Sequence, residues 1–277
     1  DINSTGTAGS RWLRIQDCPL RSNGVVAGTA EHDIAVLNVD DVIISGVHSD
    51  AMGGTAIRVE DANDVLIQNC VIDAPTLDGI YLDDCIEFIV QGCIVDTPTG
   101  DGVETAGTLN QGLIEGTYVT AAGGVGFKLN QLDDSLVTGC GSRGSTGDGF
   151  DIQNCNRTTF TGCYADTAAG HGFDVATSTY LNFSNCTGRG STGNDLNAAV
   201  TMTNSRLGFT LSKVPGGTYD ATNGVARSMP IPIGSFASVT GAGTPPLEEV
   251  GTANRVGWAF DGVAADEAIS GTWIVPE

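Results

Sequence analysis

The feature that most limits how this chain can fold is a repeat. Short alternating segments open at Ile34, Ile57, Ile80, Val103, Phe127, Phe150 and Phe173, at steps of 23, 23, 23, 24, 23 and 23 residues. Most begin apolar-x-apolar: Ile57-x-Val59, Ile80-x-Leu82, Phe127-x-Leu129, Phe150-x-Ile152 and Phe173-x-Val175. A period of two sends the flanking side chains inward and the middle one outward. A second such segment follows about eight residues on, at Val42-x-Ile44, Val65-x-Ile67, Phe88-x-Val90 and Leu181-x-Phe183. Then Gly46, Asn69, Gly92, Gly116, Gly139, Gly162 and Asn185 hold one register. Gly and Asn enter the left-handed backbone region at the least steric cost, so this position is a turn. A third strand is expected straight after it.

Three short strands per repeat leave each repeat with an apolar face and no closed core. Stacking successive coils about 4.8 Å apart buries that face and pairs each strand with its counterparts above and below. The expectation is an all-β chain: a parallel β-helix of seven or eight coils over residues 1–212, with a lead-in over 1–10 and regular coils from Arg11 to Leu211. The pattern resembles the right-handed parallel β-helix of the pectate-lyase-like superfamily. That resemblance implies a fold and leaves function open.

Charge is the second outlier. There are 33 acidic and 12 basic residues, for a net charge of −21. Of the acids 24 are Asp, and of the bases only Lys128 and Lys213 are Lys. Such a chain repels itself in dilute buffer, and molar salt, with a Debye length of about 3 Å, screens that repulsion. Asp-rich, Lys-poor composition resembles haloarchaeal proteins and implies a high-salt environment. Nucleic acid is excluded as a partner, because phosphate binding needs basic stripes that this chain lacks. No run of about 18 apolar residues is present, so no membrane insertion is expected. The opening residues carry no charged-then-apolar leader, as expected of a mature, trimmed or otherwise exported chain.

Of eight cysteines, Cys70, Cys93, Cys140, Cys163 and Cys186 share one register, with Thr117 filling the gap and Cys18 extending the row. Cys85 and Cys155 share another. Side chains stacked in line, all pointing one way, fit disulfide geometry poorly. No C-x-x-C clustering suggests a metal. Buried free thiols are expected.

Chemistry is sought on the outward side of the first strand, at Arg58, Tyr81, Glu104, Lys128, Asp151 and Asp174, and just before the glycine that precedes it, at Asp78, Asp101, Val125, Asp148 and His171. Asp148, Asp151, His171 and Asp174 gather in one patch and are the candidate catalytic residues. Glycoside hydrolysis needs two carboxylates about 5–9.5 Å apart, and adjacent coils supply such a spacing. The strings Gly147-Asp148-Gly149-Phe150-Asp151-Ile152 and Gly170-His171-Gly172 resemble two polygalacturonase motifs. That family's intervening Asp-Asp motif is replaced here by Gln153-Asn154-Cys155, and Asp83-Asp84 lies in an earlier coil. Its Arg-x-Lys motif has no counterpart after His171, so the alternative is that His171 is one more polar turn residue. Asp78 and Asp101 are candidate ligands for Ca²⁺ or Mg²⁺ on the acidic turns; no other cofactor is expected. Sequons stand at Asn3, Asn156, Asn182 and Asn185.

Past Leu211 the rhythm ends and proline-rich punctuation begins. Residues 213–277 are expected to form a small β-sandwich-like attachment or oligomerisation domain, with strands at Arg255–Phe260 and Ala268–Val275. Trp258, Asp261, Asp266-Glu267 and Trp273 to Pro276 resemble a module near the C-termini of phage and archaeal-virus fibre-like proteins. The end at Glu277, straight after a strand, is expected of a longer parent polypeptide or an oligomeric module. These resemblances together imply a virion surface spike or fibre of a haloarchaeal virus, on tail or capsid. Its expected partners are two further copies in a homotrimer, other virion proteins, and a host cell-surface glycan or glycoprotein; its expected place is the virion surface or the extracellular medium. The alternative is a secreted polysaccharide lyase, hydrolase or epimerase acting on acidic glycans.

Overall fold

Alternating segments that each bury every second side chain have one way to cover their apolar faces together, which is to wind around a shared interior. The structure, a computed structural model, describes residues 2–21, 32–50, 53–198, 205–206, 208–211, 248–249 and 256–257. Among these residues there is no helix, and every pairing between strands of the repeat is parallel. Ile34 pairs with Ile57, then Ile80, Val103, Phe127, Phe150, Phe173 and Leu196, which makes seven complete coils. The third strands form a separate nine-stranded parallel sheet.

At its start the repeat reaches beyond where the sequence pattern places its regular coils. Ile2–Gln16 is a strand paired with Ile34–Ser45, so the expected lead-in is itself the first rung, with a register shift between Thr5 and Ser10. Leu196 opens a further rung at the other end, inside the expected span, with Asp195 before it where Gly172 stands before Phe173. Chain contacts divide the molecule into two compact units, Asp1–Pro230 and Ile231–Glu277. In the second, Glu248–Glu249 pairs antiparallel with Val256–Gly257. Trp258, Trp273 and the strand expected over 268–275 lie outside the described residues.

The expected turn is left-handed at all seven positions, from Gly46 at φ +63° to Asn185 at +53°. Asp17 continues it in the lowest coil at +47°. Three further corners of each coil are left-handed as well, and most of their occupants carry side chains: Asp61 and Asp84 at the first, Asp134 and Arg157 at the second, Ala74 and Thr97 at the last. The amides there keep their ladder, as in Gly139 N–H to Thr161 O at 2.8 Å and Ala121 N–H to Arg143 O at 2.8 Å. The glycines before the first strand obey a different rule. Their φ is ordinary, but a Cβ on Gly102 would lie 2.5 Å from Gly126 O and 2.3 Å from Val119 Cγ1. Proximity between coils requires them.

The interior is a set of side-chain columns. Phe127, Phe150 and Phe173 stack with centroids 4.6 and 4.7 Å apart and planes within 8°. Phe160 and Phe183 form a second stack at 4.7 Å. Phe209 closes both at the upper end, 4.9 Å from Phe173 and 4.8 Å from Phe183. Dispersion between like rings at the coil spacing supports each column. All eight cysteines are free thiols. Each of the seven buried thiols lies between two carbonyl acceptors, one two residues back at 3.3–3.7 Å and one on the coil below at 3.4–3.9 Å. Burial pushes the Cys85 and Cys155 thiols up to about 12, so both are inert as nucleophiles near neutrality.

Candidate functional site: the first-strand face and its turns

The outward row of the first strand is continuous: Arg58, Tyr81, Glu104, Lys128, Asp151, Asp174 and Asn197 are successive rung partners. The row before the glycines runs beside it, and its members act as staples between coils. Asp78 Oδ1 accepts the Asp101 amide at 2.8 Å, and Asp101 Oδ1 accepts the Val125 amide at 2.7 Å. Asp148 Oδ1 accepts the His171 amide at 2.5 Å, and His171 Nδ1 accepts the Asn194 amide at 2.9 Å. His32 Nδ1 takes the Thr55 amide in the same way at 3.2 Å. With Nδ1 engaged as an acceptor, neutral His171 carries its proton on Nε2. The polar-turn alternative for His171 therefore has a defined geometry, and that geometry leaves Nε2 free of the staple.

The lower half of the face is built around Lys128. Its Nζ lies 2.7 Å from Glu104 Oε1 and 3.2 Å from Asp101 Oδ2. One carboxylate oxygen each from Asp78, Asp101 and Glu104 lies within 4.8 Å of the other two. Glu104 joins the two expected metal ligands; its place one rung above Tyr81 was legible, but its reach towards the turn row was not. Hard oxygen donors in this number suit Ca²⁺ or Mg²⁺, and the Lys128 ammonium is their counter-ion here. Below them Arg58 lies over the Tyr81 ring at 5.0 Å and pairs with Glu60.

The upper half gathers Asp148, Asp151 and Asp174. Asp151 and Asp174 are direct rung partners, about 4.8 Å apart along the stack. Asp151 accepts two bonds from Gln153 Nε2 at 2.9 and 3.0 Å, and Asp174 Oδ1 accepts one from Asn197 Nδ2 at 2.9 Å. Burial holds the carboxyls of Asp148 and Asp151 above the usual range; hydrogen bonds partly offset this and the Asp174 charge adds to it. A carboxyl that keeps its proton longer, beside one on the next rung, is the pairing of acid and base that glycosidic chemistry uses. Among the sequons, Asn156 Oδ1 accepts the Thr179 hydroxyl at 2.8 Å, and Asn185 occupies the left-handed turn.

Compared with known proteins, the model of the family described as right-handed beta helix region matches residues 7–107 and 55–212. The chain belongs to this right-handed β-helix family. No curated protein sequence matches it. Among solved structures, the β-helix is similar to the enzymatically active domain of tailspike protein 2 of bacteriophage CBA120, at 14% identity and a TM-score of 0.43, over 74% of this chain and 35% of that one. It is also similar to a double mutant of the periplasmic alginate epimerase AlgG, at 10% identity and a TM-score of 0.25, over 76% of this chain and 59% of that one. A third is the ORF18 protein of Geobacillus virus E2, at 10% identity and a TM-score of 0.28, over 70% and 48%. The chain thus spans about a third of the tailspike domain. Among the described residues no helix is long and apolar enough to cross a membrane.

Proposed function

We propose that this β-helix is a surface spike of a virus of salt-loving archaea, a structural and host-attaching protein that stands as a homotrimer. The observation that carries this reading is the outward face of the second strand. Between Arg14 on the rung below and Arg206 on the bridge above, its two rows are Ile43, Leu66, Ile89, Leu113, Leu136, Thr159 and Asn182, and Ser45, Gln68, Gln91, Glu115, Thr138, Thr161 and Ser184. One residue of these fourteen is charged, in a chain of net charge −21. Around a rotation axis parallel to the β-helix axis, each residue near the axis meets its own copies at the same height. A carboxylate there would face carboxylates, whereas an aliphatic row buries apolar surface. This face is where copies of so acidic a chain can meet.

The test is molar mass by light scattering in about 2 M salt, where long-range repulsion is screened. Three chains per particle are expected, and Leu113→Asp is expected to give single chains of unchanged circular dichroism. A wild-type monomer would sink the self-sufficient trimeric spike.

A second reading has its own observation. The raised carboxyls of Asp148 and Asp151 beside Asp174 favour a polysaccharide lyase, hydrolase or epimerase acting on acidic glycans. Release of reducing ends from polyuronates, lost in Asp151→Asn and in Asp174→Asn, would establish it.

A further inference from the structure

The third-strand face carries a constellation that neither reading uses. Tyr118, Gly141, Tyr164 and Thr187 are successive outward rung partners. Gly141 has no side chain, and the Tyr164 ring fills the gap: a Cβ on Gly141 would lie 2.4 Å from Tyr164 Cζ and 2.5 Å from Cε1. The ring therefore lies along the sheet over a bare backbone. Tyr118 meets it edge-on, with centroids 5.5 Å apart and planes at 62°, and is itself 42% exposed.

Two residues further along the same strands, Thr120, Arg143, Asp166 and Arg189 form the next outward row. Asp166 is buried, and its Oδ2 accepts Arg189 Nη2 at 2.9 Å and lies 3.7 Å from Arg143 Nε. The guanidinium side chains are 62% and 70% exposed. One carboxylate thus holds two cations and neutralises one charge. Arg58, Lys128 and Arg157 each have a carboxylate to themselves. Below Thr120 the row continues through Asp96, whose carboxylate is engaged by the Thr120 hydroxyl, to Asp73, Asp50 and Arg21, so the two cations stand at its upper end and the carboxylates below them. A tyrosine ring laid on the sheet, with a second ring edge-on beside it and two presented cations at its border, is unusual ground on a chain of net charge −21.

We infer that this face binds an anionic saccharide, with Tyr164 and Tyr118 as the surface on which a sugar ring lies and Arg143 and Arg189 as the forks that take its carboxylate or sulfate groups. Aromatic rings offer a broad amphipathic contact at small entropic cost, and guanidinium presents paired donors that match a planar carboxylate. Arg143 and Arg189 are two rungs apart, about 10 Å, so each can take a separate anion. A nucleic acid needs a long basic stripe, which the acidic surroundings deny. The inference deepens the attachment reading by naming a face and a ligand class, and rests on it for the role of receptor.

The test uses the full chain in about 0.15 M salt and three probes: tetragalacturonate, a neutral dextran oligosaccharide, and an oligoglutamate of matched charge. Tetragalacturonate is expected to bind, and the other two at least tenfold more weakly. Tyr164→Ala and Arg189→Gln should each weaken binding about tenfold, Tyr164→Phe should retain it, and Arg157→Gln, at an exposed cation away from this face, should leave it unchanged. Arg189 is largely exposed, so its replacement leaves the core intact should Tyr164→Ala misfold. Equal binding of oligoglutamate, indifference to both Tyr164→Ala and Arg189→Gln, or no binding of tetragalacturonate would each overturn the inference. A trimer that binds no saccharide sinks this site and leaves the spike standing. A monomer that binds through Tyr164 and Arg189 sinks the spike and leaves the site.

Discussion

Asp33 shows how much a single position can store. It is fully buried, one residue before the lowest complete coil, and the Ser49 hydroxyl donates to its Oδ2. Burial raises its carboxyl to about 6 from an ordinary value of 3.8. The folded state therefore holds the proton more tightly than the unfolded chain. This contribution is at its best below the unfolded value and is lost as the pH rises from about 4 through 6. A shift of this size corresponds to about 3 kcal/mol at most. Asp33→Asn is expected to raise the melting temperature at pH 7.5 and to leave it nearly unchanged at pH 4. A variant less stable at pH 7.5 would mean that the buried charge is compensated. The glycines make a second residue-scale test, because two kinds serve two needs. Gly102→Ala forces a methyl against Gly126 O and Val119 and should destabilise by about 2–3 kcal/mol. Gly139→Asn places a side chain where no atom lies within 4 Å, on a backbone that Asn tolerates, and should change stability by less than about 1 kcal/mol. Denaturant unfolding at fixed salt reads both.

At the scale of the element, the columns make a graded prediction. Phe150 has a ring above and below, whereas Phe127 has Phe150 above and Val103 below. Each Phe→Ala change is expected to lose about 3–5 kcal/mol, and Phe150→Ala about 1 kcal/mol more than Phe127→Ala, for the second ring contact. Equal losses would mean that the stacks act only through buried area. The same scale shows what the sequence made legible. The coil length and the inward rows follow from spacing and alternation, because a side chain's face is fixed once the register is. Of four left-handed corners, only the one filled by Gly and Asn stood out. At the others Arg157, Tyr180 and Thr97 bend the chain as Asp64 and Gly144 do, since stacking against neighbouring coils outweighs the cost of about 1–2 kcal/mol per residue. The outward carboxylate patch was legible for the reason that the core was. The stapling of Asp78, Asp101, Asp148 and His171 was not, because it depends on the reach of a side chain to the amide one coil up. Nor was the tyrosine platform, where Gly141 resembles a turn glycine in sequence and is a strand residue under a ring.

For the whole molecule, two electrostatic terms act together and can be separated. The first is self-repulsion from a net charge of −21, which salt screens and acid removes. The second is specific: burial holds Asp33, Asp83, Glu104, Asp148 and Asp151 above the ordinary carboxylate range in the folded state. Raised folded values mean that the unfolded chain releases these protons first, so stability falls as the pH climbs through the window from about 4 towards 6. Asp134, lowered by its bond to Arg157, acts in the opposite sense, but it is exposed and its effect is screened. At pH 7.5 the melting temperature is expected to rise steadily between 0.2 and 2 M NaCl. At 2 M NaCl, where the general term is largely screened, acidification from pH 7.5 to 4.5 should still raise it, because short-range burial persists when long-range repulsion does not. If melting at 2 M salt were flat or falling across that interval, the buried carboxyls would be compensated by partners. The acidity of the chain would then act through its net charge alone.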